Sequence, residues 1–115
     1  MREISVGKNL TANTLTTLYT VPTQQTARWH TVFAHNSGGS TKHFSLWWYD
    51  KSANTQVVVV LEYNLASKTY FQLDGNSYVF LEEGDEIRVQ SEAGSAVSVI
   101  ITLEQAFKQT TQHGF

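Results

Sequence analysis

The clearest pattern along the chain is an alternation of period two. In "DEIRVQS" (85–91) and "AVSVIITLE" (96–104), Ile87, Val89, Val97, Val99, Ile101 and Leu103 are separated by Glu86, Arg88, Gln90, Ser98 and Thr102. Successive side chains of a strand point to opposite faces, so this spacing predicts two half-buried strands with those apolar residues inward. Comparable segments recur at "TLTTLYTV" (14–21), "RWHTVFAHN" (28–36), "KHFSLWWYD" (42–50), "TQVVVVLEYN" (55–64), "KTYFQL" (68–73) and "SYVFL" (77–81). Gly, Asn, Asp and Ser separate them, and Pro22 stops the first. About eight short strands with turn signals between them predict an all-β chain, an antiparallel β-sandwich of jelly-roll type. No stretch sustains a 3.6-residue apolar repeat, and only "LEQAFKQTTQ" near the C-terminus has a helical reading.

The first half alternates less cleanly. Trp47 and Trp48 are adjacent, so a strand through "LWWYD" carries tryptophan on both faces. Gly38-Gly39 suits a tight turn. A hairpin centred on Gly39 places Val32, Ala34, Phe44, Leu46 and Trp48 on one face, the candidate core. Trp29, Thr31, Phe33, His35, His43, Trp47 and Tyr49 then fall on the other. "VVVV" (57–60) repeats the theme, with Val57, Val59, Leu61 and Tyr63 opposed to Val58 and Val60. In an antiparallel sandwich one face of each sheet is ordinarily wet, so a second apolar face requires a cover: a loop, the C-terminal tail or another subunit.

Composition fits this picture. Of 115 residues, 41% are hydrophobic and 12% aromatic but only 16% charged, so the polar surface is built largely from Thr, Ser, Gln and Asn. The length suits a single domain. Residues 1–104 are expected to form it, the first dozen or so as a possible extended arm, with 105–115 a C-terminal tail. The net charge of -2, with 8 Lys and Arg spread thinly, leaves no electrostatic footprint for nucleic acid or an anionic membrane. No apolar run approaches the roughly 20 residues of a membrane span, and "MREISVGKNL" lacks the apolar core of a secretion signal. With no cysteine, disulfides and thiolate metal sites are excluded.

Candidate chemistry is sparse. On the hairpin register, His35 and His43 become cross-strand neighbours and potential metal ligands, though two imidazoles on paired strands are more commonly hydrogen-bonded surface residues. "LEEGDEI" (81–87) gathers Glu82, Glu83, Asp85 and Glu86, but general acid–base pairs converge from separate elements, and Gly84-Asp85 reads as a turn. "LDGNS" (73–77) lacks the acidic spacing of a calcium loop and reads as a β-turn. No phosphate-binding, dinucleotide, zinc-protease or nucleophile-elbow motif is present. The expectation is a protein without catalytic, metal or cofactor site.

"TLYTVP" (17–22), a strand ending in "HN" (35–36), and "FLEEGDEIRVQSE" (80–92) leading to "VSVIITLEQ" (97–105) occur in that order. This arrangement resembles a family of small virion proteins of tailed bacteriophages, over about residues 14 to 105. The resemblance implies a β-sandwich or jelly-roll structural module, often homotrimeric. Such modules serve as head-decoration (cement) proteins or as parts of tails and fibres, with the major capsid protein or other virion proteins as expected partners. It also implies a virion location after synthesis in the bacterial cytoplasm. "LWWYD" is not part of the shared pattern.

Two functions compete. A virion subunit needs broad adhesive surfaces, and Trp29, Phe33, Trp47, Tyr49, Phe107 and Phe115 are the candidate contact residues. A carbohydrate-binding module would use Trp29, Trp47 and Tyr49 as a stacking platform. The plain alternative to both is that Trp29 and Trp47 are covered by loops of their own chain.

Overall fold

The computed structural model describes residues 2–74, 76–92 and 96–108. Among the described residues nine strands run in chain order: β1 Arg2–Asn9, β2 Thr16–Thr20, β3 Gln25–Asn36, β4 Lys42–Asp50, β5 Thr55–Leu65, β6 Tyr70–Leu73, β7 Val79–Leu81, β8 Glu86–Ser91 and β9 Val97–Phe107. One sheet has the order β1-β9-β3-β6, with β7 also on β3; the other has β2-β8-β4-β5, and every pairing is antiparallel. Consecutive strands therefore switch sheets repeatedly, and the two interleaved orders are those of a jelly roll, with β6 and β7 sharing the place of one strand. The all-β sandwich read from the sequence is the fold.

The period-two strands behave as their spacing dictates. Ile87, Val89, Val97, Val99, Ile101 and Leu103 are all buried, and with Phe44, Leu46, Val32, Ala34, Leu65 and Leu81 they fill the space between the sheets. Trp48 and Val60 pack against this core from the β4–β5 side.

Three features differ from the sequence reading. First, "RWHTVFAHN" and "KHFSLWWYD" are not a hairpin: β3 pairs with β9, β6 and β7, whereas β4 pairs with β5 and β8. The connection crosses from one sheet to the other, held by fully buried Asn36. Its Nδ2 donates to the carbonyls of Ser40 (2.8 Å) and Leu65 (3.0 Å), and its Oδ1 accepts from Gly38 N–H (2.9 Å). A buried amide satisfied on both sides fixes a crossover that Gly38-Gly39 leaves open.

Second, the first residues are not an arm. β1 pairs with β9 from Arg2↔Gln105 to Asn9↔Ser98, turning Ile4 and Val6 toward the core. At Gly7 a Cβ would sit 3.2 Å from Ile100 Cγ1, so the missing side chain makes room for the isoleucine across the ladder. Charged Arg2, Glu3 and Lys8 dilute the apolar signal, as suits a strand at a sheet edge.

Third, β9 runs on to Phe107, so "LEQAF" is strand and not helix, and residues 105–107 of the expected tail belong to the sheet; positions 109–115 of that tail lie outside the described residues. Gln105 and Phe107 pair with Ala27 and Gln25.

Two of the quoted segments, "TLYTVP" and "LEEGDEI", meet in space. Glu82 to Asp85 form a turn closed by Asp85 N–H to the Glu82 carbonyl (2.9 Å), with Gly84 at φ 86°, a conformation costly for any residue with a Cβ. Val21 N–H donates to the Asp85 carbonyl (2.9 Å), and Gly84 N–H to the Val21 carbonyl (3.1 Å). Asp85 is 2% exposed. Its Oδ1 accepts from Lys51 N–H (3.0 Å), and its Oδ2 from Glu82 N–H (3.0 Å) and Trp48 Nε1–H (3.3 Å). The carboxyl group thus ties the β4 end to the β7–β8 turn, while the backbone carbonyl of Asp85 holds the β2 exit.

Candidate functional site

The six proposed contact residues do not share one surface. Trp29 is 4% exposed, and its indole N–H donates to the Thr31 carbonyl at 3.2 Å, so it belongs to the core and is neither a contact nor a platform residue. The cause is a β-bulge between Trp29 and Thr31 in the β3–β9 ladder. One extra residue reverses the alternation: Ala27 and Trp29 point inward before it, and Val32, Ala34 and Asn36 after it. Phe33 stands 41% exposed on the outer face of the β1-β9-β3-β6 sheet, beside exposed Ile100, its partner across the ladder. Phe107 is exposed at the end of β9, and Phe115 lies outside the described residues.

Trp47 and Tyr49 lie half-buried on the outer face of the β2-β8-β4-β5 sheet, while Trp48 faces the core. This resolves the paired tryptophans: one closes the core, and the other lies on the outer face. Tyr49 is capped by the Arg88 guanidinium, 3.9 Å from the ring centre, and its hydroxyl donates to Asn54 Oδ1 at 2.5 Å. Arg88 also donates from Nε to Glu86 (2.9 Å) and from Nη1 to Gln56 (3.0 Å), and Thr17 donates to the same Glu86 oxygen (3.0 Å). With Trp29 inside and Tyr49 capped, the three-ring platform for a sugar does not assemble.

The histidines are separated. His35 stands opposite Tyr70 and Ser98 in one sheet. His43 is in the other, its backbone N–H donating to Glu92 Oε1 (2.8 Å) and its Nε2 3.9 Å from that oxygen. The cross-strand pairing of His35 with His43 is therefore overturned by the sheet switch. His30 Nε2 lies 2.8 Å from Glu104 Oε1. Among the described residues no group of three or more His, Cys, Asp or Glu is placed to hold a metal ion. The acidic corner disperses: Asp85 turns inward, Glu86 joins Arg88, and Glu83 meets Lys108 Nζ at 2.7 Å. The hydrogen bond from the Lys108 ammonium holds the half-buried Glu83 carboxyl below its ordinary range. On Tyr19, burial raises the phenol above its usual value, while the hydrogen bond from Gln105 pulls the other way.

Two features emerge that residue-by-residue reading did not single out. One is β5, a long strand at the open edge of its sheet, on which Val57, Val58, Val59, Leu61 and Tyr63 are between 38% and 63% exposed. The valine run was legible, but not its edge position. The other is a cleft of about 360 Å³ walled by Trp47, His43, Ser45, Glu62, Gln90 and Glu92. Two register shifts in the β4–β5 ladder, flanking Leu46, deform β5 here. Glu62 takes φ 48°, and its N–H donates to Ser45 Oγ at 2.8 Å. A glutamate in that region of backbone space is uncommon, and no local sequence signal announces it. No protein-family model matches this chain, and no curated protein matches it.

Proposed function

We propose that this chain is a non-enzymatic structural protein of a tailed-bacteriophage virion, a decoration subunit that adheres to the head shell and to copies of itself. The order of Thr17–Pro22, Asn36 and Gly84-Asp85 supports the reading, because those residues are the staples of a jelly roll and not parts of a reaction centre. The observation that carries it is the apolar open edge at β5. Soluble proteins blunt an exposed edge with lysine, proline or a short strand. Here an eleven-residue strand presents exposed Val57, Val58 and Val59 together with Leu61 and Tyr63 instead. Such an edge fits a surface satisfied by another subunit. A homotrimer is the assembly that the resemblance favours.

Quantitative mass spectrometry of purified particles from the host that produces this chain tests the reading. Hundreds of copies per particle are expected for a shell layer. A handful would move the protein to the tail or fibres, and none would end the virion reading. A second test addresses the edge. Val58 is 48% exposed, so Val58→Lys should alter stability by no more than about 0.5 kcal/mol. In light scattering the unaltered chain should run as an oligomer at micromolar concentration, and the lysine variant as a monomer. An oligomer unaffected by the lysine would place the contact elsewhere.

A further inference from the structure

We infer that the cleft between β4, β8 and the deformed part of β5 binds an uncharged saccharide, with Trp47 as its single stacking wall. This does not rest on the virion reading, since it concerns a small ligand, although Leu61 of β5 lines both the cleft and the open edge.

The first observation is the backbone. β-Bulges frequently re-aim a side chain beside a binding site, and strained residues persist where the surroundings hold them. Glu62 combines both, sitting next to a register shift with positive φ and its amide fixed by Ser45, itself 6% exposed. The result is an exposed carboxyl group at the rim of the cleft that an unbroken ladder would direct elsewhere.

The second is the chemistry of the walls. Trp47 lies half-buried along one side, and its indole N–H has no acceptor among the described residues. Glu62, Glu92 and Gln90 line the rest, with Glu92 held in place through Oε1 by the His43 backbone. An aromatic face receives the C–H face of a pyranose ring, while carboxyl and amide oxygens accept from vicinal hydroxyls. Among the described residues no Lys or Arg lines the cleft, so it offers no Lys or Arg cation to an acidic sugar. A quaternary ammonium is usually held by a cage of several rings, and here there is one. The volume lies within the range of small-ligand sites and accommodates one or two sugar rings.

The full-length chain should be titrated with methyl glycosides of glucose, galactose, mannose and N-acetylglucosamine, with sialic acid and choline as charged controls, following tryptophan fluorescence. At least one neutral glycoside should give a saturable change, half-complete near millimolar concentration as befits a shallow one-ring site (~1 mM). That midpoint should not move between low and moderate salt, because the ligand carries no charge. Trp47→Ala should weaken binding at least tenfold and Glu62→Gln several-fold, both with unaltered far-ultraviolet circular dichroism. A flat response to every neutral glycoside, a response to choline or sialic acid alone, or undiminished binding by Trp47→Ala would overturn the assignment. Should Trp47→Ala fail to fold, amide shifts of the unaltered chain decide: saccharide-induced changes at His43, Glu62 and Gln90 support the cleft, and changes elsewhere refute it.

Discussion

Replacing Asp85 by alanine should lower the unfolding free energy by about 3 kcal/mol or more. The carboxyl group is 2% exposed and accepts three hydrogen bonds, from Lys51 N–H, Glu82 N–H and the Trp48 indole. Truncation leaves those donors unmatched, and a buried donor without a partner costs about 1–3 kcal/mol. Lys51 is exposed, so water can satisfy part of the loss there, which keeps the total below a simple sum. On a domain this size the change corresponds to a melting temperature lower by roughly 10–20 °C. Asp85→Asn should fall between, since one amide oxygen can keep part of the network while its NH₂ opposes the remaining donors. Denaturant titration at constant slope measures the difference. A cost below about 1 kcal/mol would mean that the β4 end and the β7–β8 turn are held by packing and backbone bonds, with little from the Asp85 carboxyl.

Trp29→Ala is the second large effect, expected to cost about 3–5 kcal/mol, the usual range for removing a large aromatic from a core. Against a typical domain stability of about 5–15 kcal/mol, this would leave a substantial unfolded population. The outcome separates two roles. If Trp29 were a docking residue, the variant would fold normally and fail only to associate. With the ring 4% exposed, the loss should appear in the isolated subunit by thermal unfolding, before any partner is added. Trp47→Ala should behave in the opposite way, folding intact, because its ring lies on the outer face of its sheet.

The same contrast shows how much of the site was legible in the chain. The valine run of β5, the outward Trp47 and the outward Phe33 follow from alternation alone. Trp29 does not, because the bulge beside it inserts one residue and reverses which positions face inward. Nor does the cleft, whose walls come from β4, β5 and β8 and from Glu92 just after β8, and whose shape depends on Glu62 at φ 48°. Bulges are settled by the fit of two strands against each other, and a single strand carries no mark of its partner's length.

By itself the amino-acid order determined the fold class, the inward faces of β8 and β9, and the turn at Gly84-Asp85. Those depend on local physics: side-chain alternation along a strand, and the backbone freedom of glycine. Only the tertiary structure decided that β3 and β4 enter different sheets, that residues 2–9 complete the β9 edge, and that β5 is left at an open rim. Strand partners are chosen by competition among distant segments for the same hydrogen bonds and the same apolar cover. A buried amide such as Asn36, joining Gly38, Ser40 and Leu65, shifts that competition in a way that no window of neighbouring residues contains.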